Sequence, residues 1–224
     1  MNARNGPLPP PTRSATTPYK KGDETRVRIL NAALSAFGNS GFAGVTTRQI
    51  AEDAGINLPA LNYYFGNKEG LYLACAHEIL ARYRESMQAV GEAAFATLQG
   101  APDPVGACAQ LKLLLTALAR FLLTSASDQN RLFVQRELAD PGRAFEVLYA
   151  GLWRPGIELV AALIVAASNA QLTTAQARVR AVMMIAGLTG FQSGAPIISR
   201  TMGKAASLTM VIEALEAQVD ALAR

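Results

Sequence analysis

The sequence is poor in the residues that build metal and catalytic centres. It has one histidine, His77, and two cysteines, Cys75 and Cys108. Two cysteines exclude a disulfide framework and a cysteine-built tetrahedral zinc site, and a single histidine removes most His-based catalytic arrangements. Cys75 and His77 stand two apart, so on a helix they do not share a face. Aromatic residues make up 7% and charged residues 17% of the chain. So low a charge content argues against disorder over most of its length. Long apolar runs are missing too. The longest, Leu159 to Ala167, is about half of the roughly 20 residues that a membrane helix needs. Met1 to Pro18 holds prolines, arginines and threonines where a signal peptide has an apolar stretch. The expectation is a soluble cytoplasmic protein with no metal, no cofactor and no membrane partner.

What is present is a core and an uneven charge. Half of the 224 residues are hydrophobic, enough for one or two packed domains. Residues 1–68 carry eight lysines and arginines against four acids, while residues 69–224 carry thirteen of each sign. All the excess positive charge belongs to the first third. Such a basic segment on a neutral apolar body points to a polyanion-binding module, the alternative being a solvated basic tail. Residues 1–20 hold five of the eleven prolines, which gives residues 1–21 the character of a flexible basic arm.

Apolar spacing predicts an all-α chain of about nine helices, the first starting near Asp23. Two short helices follow within Thr46–Tyr64. Thr46 with Gln49 reads as a capping box, Gly55 as the turn and Asn57 as the next cap. Asn67 opens a long helix into the nineties. Further helical patterns occupy about 104–125, 128–139, 141–168, 172–191 and 206–222, with Pro155 kinking or interrupting the third. No stretch alternates as a strand does, and no repeat is visible. The chain divides into an arm at 1–21, a three-helix unit at 22–68 and an all-helical body at 69–224.

The informative segment is Gly44 to Leu71. Ile50, Ala51, Ala54, Ile56, Leu61 and Phe65 form the buried side of two crossed helices joined at Gly55, a geometry whose second helix enters a major groove. Leu58, Pro59, Ala60, Asn62 and Tyr63 are left outward as an uncharged reading face. Thr47, Arg48, Tyr64, Lys68 and the N–H groups after Asn67 form a rim suited to phosphate. Two such helices used only for packing are the alternative.

Here the sequence resembles the TetR family of transcriptional regulators. Its signature T-x-x-x-I-A-x-x-A-G-(V/I)-x-x-x-x-(L/I)-Y-x-(Y/H)-F-x-x-K-(E/D)-x-L is matched nearly throughout Thr46–Leu71, with Asn62 where most members have tyrosine. The likeness spans Glu24 to about Leu73. A-L-N-Y-Y-F-G-N-K-E-G-L-Y and R-L-F-V-Q-R-E-L-A-D-P, Arg131–Pro141, also resemble the CecR-like subgroup, which implies regulated genes linked to transport and toxic compounds. By position the resemblance places Thr47 and Arg48 on DNA contacts of the first helix. Leu58, Pro59, Ala60, Asn62 and Tyr63 then fall on the recognition helix, and Tyr64 and Lys68 on phosphate. It implies a helix-turn-helix DNA-binding domain at 22–68, a ligand-binding and dimerisation domain at 69–224, and a homodimeric regulator of double-stranded DNA, a repressor released from a palindromic operator by an unknown small molecule. A sequence-tolerant architectural DNA-binding protein is the second reading, and a small enzyme the poorest.

For the effector cavity, Gln110, Thr116, Arg120, Phe121, Gln135, Arg136 and Trp153 are the candidates, each against a plainer reading as surface, core or an Arg136–Glu137 ion pair. Segments 172–191 and 206–222 are expected to pair with a second copy through two stripes, Val179, Val182, Met183, Ala186 and Phe191 on one and Leu208, Val211, Leu215, Val219 and Leu222 on the other. Core within one chain is the alternative.

Overall fold

The computed structural model describes residues 18–100, 103–125, 128–203 and 207–223, and among these there is no strand. Helices α1 (Pro18–Ser40), α2 (Thr47–Asp53) and α3 (Leu58–Phe65) precede the long α4 (Lys68–Gln99). Then come α5 (Pro104–Arg120), α6 (Asp128–Ala139), α7 (Phe145–Leu148), α8 (Arg154–Ala167), α9 (Thr174–Ser193), α10 (Ala195–Met202) and α11 (Leu208–Asp220). A π-helical turn extends α5 over Phe121–Ser125, and another joins α7 to α8 over Tyr149–Trp153.

Several local expectations need correction. Helix α1 begins at Pro18 rather than near Asp23, since a proline in the first turn loses no helical bond. Residues 18–21 of the expected arm are thus helical, and residues 1–17 lie outside the described residues. Thr46 caps α2 by accepting from the Gln49 N–H at 3.2 Å. The reciprocal side-chain bond of a capping box is instead made at α9, by Thr173 and Gln176. Pro155 does interrupt the 141–168 pattern, but through the π turn before it. Its ring excludes the carbonyl four residues back and supplies no N–H, and the wider turn at Tyr149–Trp153 absorbs both. In the Phe121–Ser125 turn the Thr124 hydroxyl donates to Arg120 O at 2.7 Å and Gln192 donates to Leu122 O at 2.7 Å. Helix α10, a segment of Pro, Ser and Gly neighbours, was not expected.

Two apolar cores form. The first gathers Leu30, Leu34, Phe37, Ile50 and Leu61 with Tyr72 to Leu80 of α4, and takes Phe133, Ala144 and Leu148 from beyond. It therefore runs well past residue 68. The second gathers Met87 and Ala94 of α4 with Leu111–Leu118, Val160–Ala167 and the inner sides of α9 and α11. Helix α4, 32 residues long and so about 48 Å, belongs to both. By length and composition Pro104–Thr124 and Phe145–Ala167 are apolar enough to cross a membrane. A search for unbroken runs misses them because Lys112, Glu146 and Arg154 divide the pattern. In the fold Leu111, Leu114, Leu115, Leu118, Val160 and Leu163 of these stretches fill the second core, Val147 and Leu148 join the first, and Val105 and Leu113 stay exposed.

The stripe on the last helix also needs correction. Val211, Leu215, Val219 and Leu222 are buried against the same chain, with the Lys112–Asp220 pair at 2.6 Å holding α11 to α5. On α9, by contrast, Val179 is 60% and Met183 69% exposed. Exposed Met210, Ala214 and Ala217 line the other side of α11, with Ala221 exposed just past its end.

Cys75 lies fully buried in the first core, and His77 is exposed. Burial first, then the Glu78 charge, pushes the Cys75 thiol from about 9 to about 12. A raised thiol pKa favours the folded state below pH 9, and this contribution fades as pH rises toward 12. At pH 8 Cys75 is expected to resist a thiol reagent until urea unfolds the chain; modification in the native state contradicts its placement.

Candidate nucleic-acid interface

The reading head is assembled by short-range chemistry. Asn57 caps α3 by accepting from Ala60 N–H at 2.9 Å, and Asn67 caps α4 by accepting from Gly70 N–H at 2.8 Å. Between α2 and α3, Gly55 has φ +65°, which is left-handed and strained for other residues. Ile50, Ala51, Ala54 and Leu61 are buried on α1 and α4, and this fixes which side of α3 faces out.

That outer side carries Pro59, Asn62 and Tyr63, all exposed, with Leu58 and Ala60 half-buried at its edges. Tyr63 is 86% exposed, its ring edge-on to Tyr64 at 5.4 Å. No charged side chain lies on this helix, so it offers an amide, a phenol and apolar atoms to base edges. Arg48 is exposed on α2 and Thr47 half-buried beside it. Tyr64 is half-buried, between Tyr63 and Phe65. The Lys68 ammonium sits 4.6 Å from the centre of the Phe42 ring, a cation–π contact. Arg143, from the α6–α7 loop, packs on the same ring at 4.8 Å and pairs with Glu69 at 2.9 Å. Phe42 and Arg143 carried no signal in the sequence, because the contact joins segments a hundred residues apart.

Behind the head lies a seam with α6. The Arg136 guanidinium donates to Gly38 O at 2.6 Å and also to Asn39 O, two carbonyls at the end of α1, where the helix dipole favours a cation. Glu137, 2% exposed, accepts the Tyr72 hydroxyl at 2.6 Å and Gly142 N–H at 3.1 Å. Arg136 and Glu137 thus serve different partners and are not the ion pair weighed above, since successive residues on a helix point apart. Burial, then the bond to Glu137, raises the Tyr72 pKa well above its ordinary value. At Gly38 a Cβ would meet Leu132 Cβ at 3.1 Å and Gln129 O at 3.2 Å, so the two helices approach as closely as they do because glycine stands there.

On its opposite side α6 faces a cavity of about 700 Å³, walled by α4, α5, α8, α9 and both π turns. The volume falls within the roughly 300–1,000 Å³ of small-molecule sites. Phe121 and Trp153 line it. The other five candidates do not. Gln110 is buried and donates to Val90 O at 3.3 Å, Gln135 donates to Ser193 Oγ, and Arg136 is held at the α1 end. Thr116 is half-buried and Arg120 exposed outside the cavity wall. The wall missed from sequence is α4, through Tyr83, Arg84, Met87, Gln88 and Phe95. Their spacing continues along the helix after its first-core residues end, and that continuation was the available signal.

A solvent-facing second helix, a left-handed glycine turn and a cationic rim define a helix-turn-helix DNA-binding protein. Family comparison extends this. Residues 29–75 match bacterial regulatory proteins of the tetR family, and residues 107–224 match the C-terminal domain of the HTH-type transcriptional dual regulator CecR. The chain belongs to the TetR family of transcriptional regulators, with a C-terminal domain of the CecR type. The CecR dual regulator of Shigella flexneri is 34% identical over 137 residues, 60% of either chain. The match thus spans three-fifths of that relative's length. The transcriptional regulator RutR of Escherichia coli K12 is 44% identical over 64 residues, 29% of this chain and 30% of its own. A solved regulator from Pseudomonas aeruginosa PAO1 superposes with a TM-score of 0.65 at 17% identity, covering 93% of both chains. AibR, solved with isovaleryl coenzyme A and operator DNA, superposes at 0.63 and 13% identity, covering 87% of this chain and 96% of its own.

Proposed function

We propose that this chain acts in the cytoplasm as a homodimeric repressor that leaves a near-palindromic operator when a small molecule fills the α6 cavity. The observation carrying this reading is the double use of α6. Asn130, Val134 and Leu138 face the cavity, while Phe133, Arg136 and Glu137 grip the DNA-binding core. An occupant that shifts α6 shifts the ends of α1 and α4 with it, and it biases the heads by its differential affinity for the two arrangements. The exposed faces of α9 and α11 supply the apolar surface for a second copy, whose head must lie about 34–36 Å away, or a multiple of that, to meet the next major groove. AibR's complex with operator DNA and an acyl thioester is in keeping with such a division of labour.

Selection of bound duplexes from a random pool tests it. Enrichment of an inverted repeat with fixed spacing supports a dimeric regulator, whereas binding without a preferred sequence favours the architectural reading. Within the selected site, Lys68→Ala is expected to weaken all sequences alike and to lower the slope of log affinity against log salt by about one. An unchanged slope removes Lys68 from the phosphate contacts.

A further inference from the structure

The charge around the cavity is not symmetric. Its charged lining residues are Arg84, Arg131 and Glu92, two guanidinium groups against one carboxylate. Glu92, exposed on α4, accepts from the neutral Gln88 Nε2 at 3.0 Å and keeps its charge, which leaves the lining with an excess of one positive charge. Arg131 pairs at 3.0 Å with Asp128, whose side chain is 87% exposed, and a pair so open to water is held weakly enough for another acid to replace it. Arg84 is exposed at the α4 side of the wall. The interior is different. Met87, Leu114, Leu118 and Val160 are buried apolar residues, and Tyr83 meets Phe121 edge-on at 5.7 Å.

We infer that the cavity takes an anionic amphiphile, its hydrocarbon portion among Met87, Leu114, Leu118 and Val160 and its acidic head between Arg84 and Arg131. The inference rests on the effector reading above for its regulatory meaning, but not for the binding itself. Apolar area drives entry, and the guanidinium groups select the head, since charge-assisted bonds to a carboxylate outweigh neutral ones. A cationic head would meet two like charges there, and a neutral head would leave both arginines to water.

Trp153, the single tryptophan, lines this cavity, so its fluorescence reads occupancy without DNA. The full chain is titrated with dodecanoate, 1-dodecanol and dodecyltrimethylammonium, all below micelle-forming concentrations. Dodecanoate is expected to bind about tenfold tighter than the alcohol, and the cation weakest. In Arg84→Gln/Arg131→Gln the acid should fall to the level of the alcohol, with the alcohol unchanged. Equal binding of all three, preference for the cation, an acid preference that survives the double substitution, or no binding of any overturns the inference. Addition of dodecanoate to the chain on its selected duplex separates the two readings. Binding with the expected preference but no release retains the ligand class and removes dodecanoate's class as effector. Duplex binding with no uptake of any probe removes the ligand class alone.

Discussion

Glu137→Ala is expected to cost about 3 kcal/mol of folding stability, read as a lower urea midpoint, because it leaves the buried Tyr72 hydroxyl without its acceptor and removes the part-buried bond from the Gly142 N–H. For a chain of 224 residues that is a fall in Tm on the order of 6–12 °C. Tyr72→Phe alone destabilises as well, because the carboxylate keeps only the 3.1 Å bond from Gly142. Combined as Glu137→Ala/Tyr72→Phe, the two changes should cost less than the sum of the single ones, since removing both partners spares the desolvation penalty of either. Strict additivity, or a Glu137→Ala chain with an unshifted midpoint, means that this pair does not fasten α6 to α4.

Tyr63→Ala is expected to act in the opposite way, with stability within about 0.5 kcal/mol of the parent and affinity for the selected operator reduced by about 10- to 100-fold, the range of one good base contact. Its ring is 86% exposed and touches Tyr64 alone among the aromatic contacts formed there, so little of the fold depends on it. Asn62→Ala should relax preference at one base pair, since a side-chain amide on an exposed helix is suited to an adenine edge. Undiminished affinity after Tyr63→Ala, with the selected site unaltered, would take Tyr63 off the reading face.

These two changes also mark what the sequence discloses and what it hides. The helical class and the family were legible because they rest on short-range chemistry: Asn57 and Asn67 cap at i+3, Gly55 turns, and Ile50 and Ala51 stand four and three residues before Ala54, the spacing of one helix face. Which stripes stay within the chain was not legible. Val211, Leu215 and Val219 have the pattern of an interface, yet α5 covers them. The seam was hidden for a similar reason, since Tyr72 and Glu137 stand 65 residues apart and Arg136 reaches carbonyls rather than an acid. The cavity wall on α4 is hidden in the sequence because its lining alternates Arg84, Gln88 and Phe95 with Met87, a mixed pattern that reads as a solvated helix face.

The first core has a consequence for how such chains are shuffled. Its members come from α1 to α3, from α4 as far as Leu80, and from Phe133, Ala144 and Leu148. A chimera joined at residue 69 would carry the reading face to a new sensor domain but leave behind Tyr72, Cys75, Ile79 and the Phe133 plug. The exchangeable unit is a volume rather than a segment. Grafts between relatives should keep α4 through Leu80 and match the foreign α6 to Gly38, or the transplanted head will arrive without its floor.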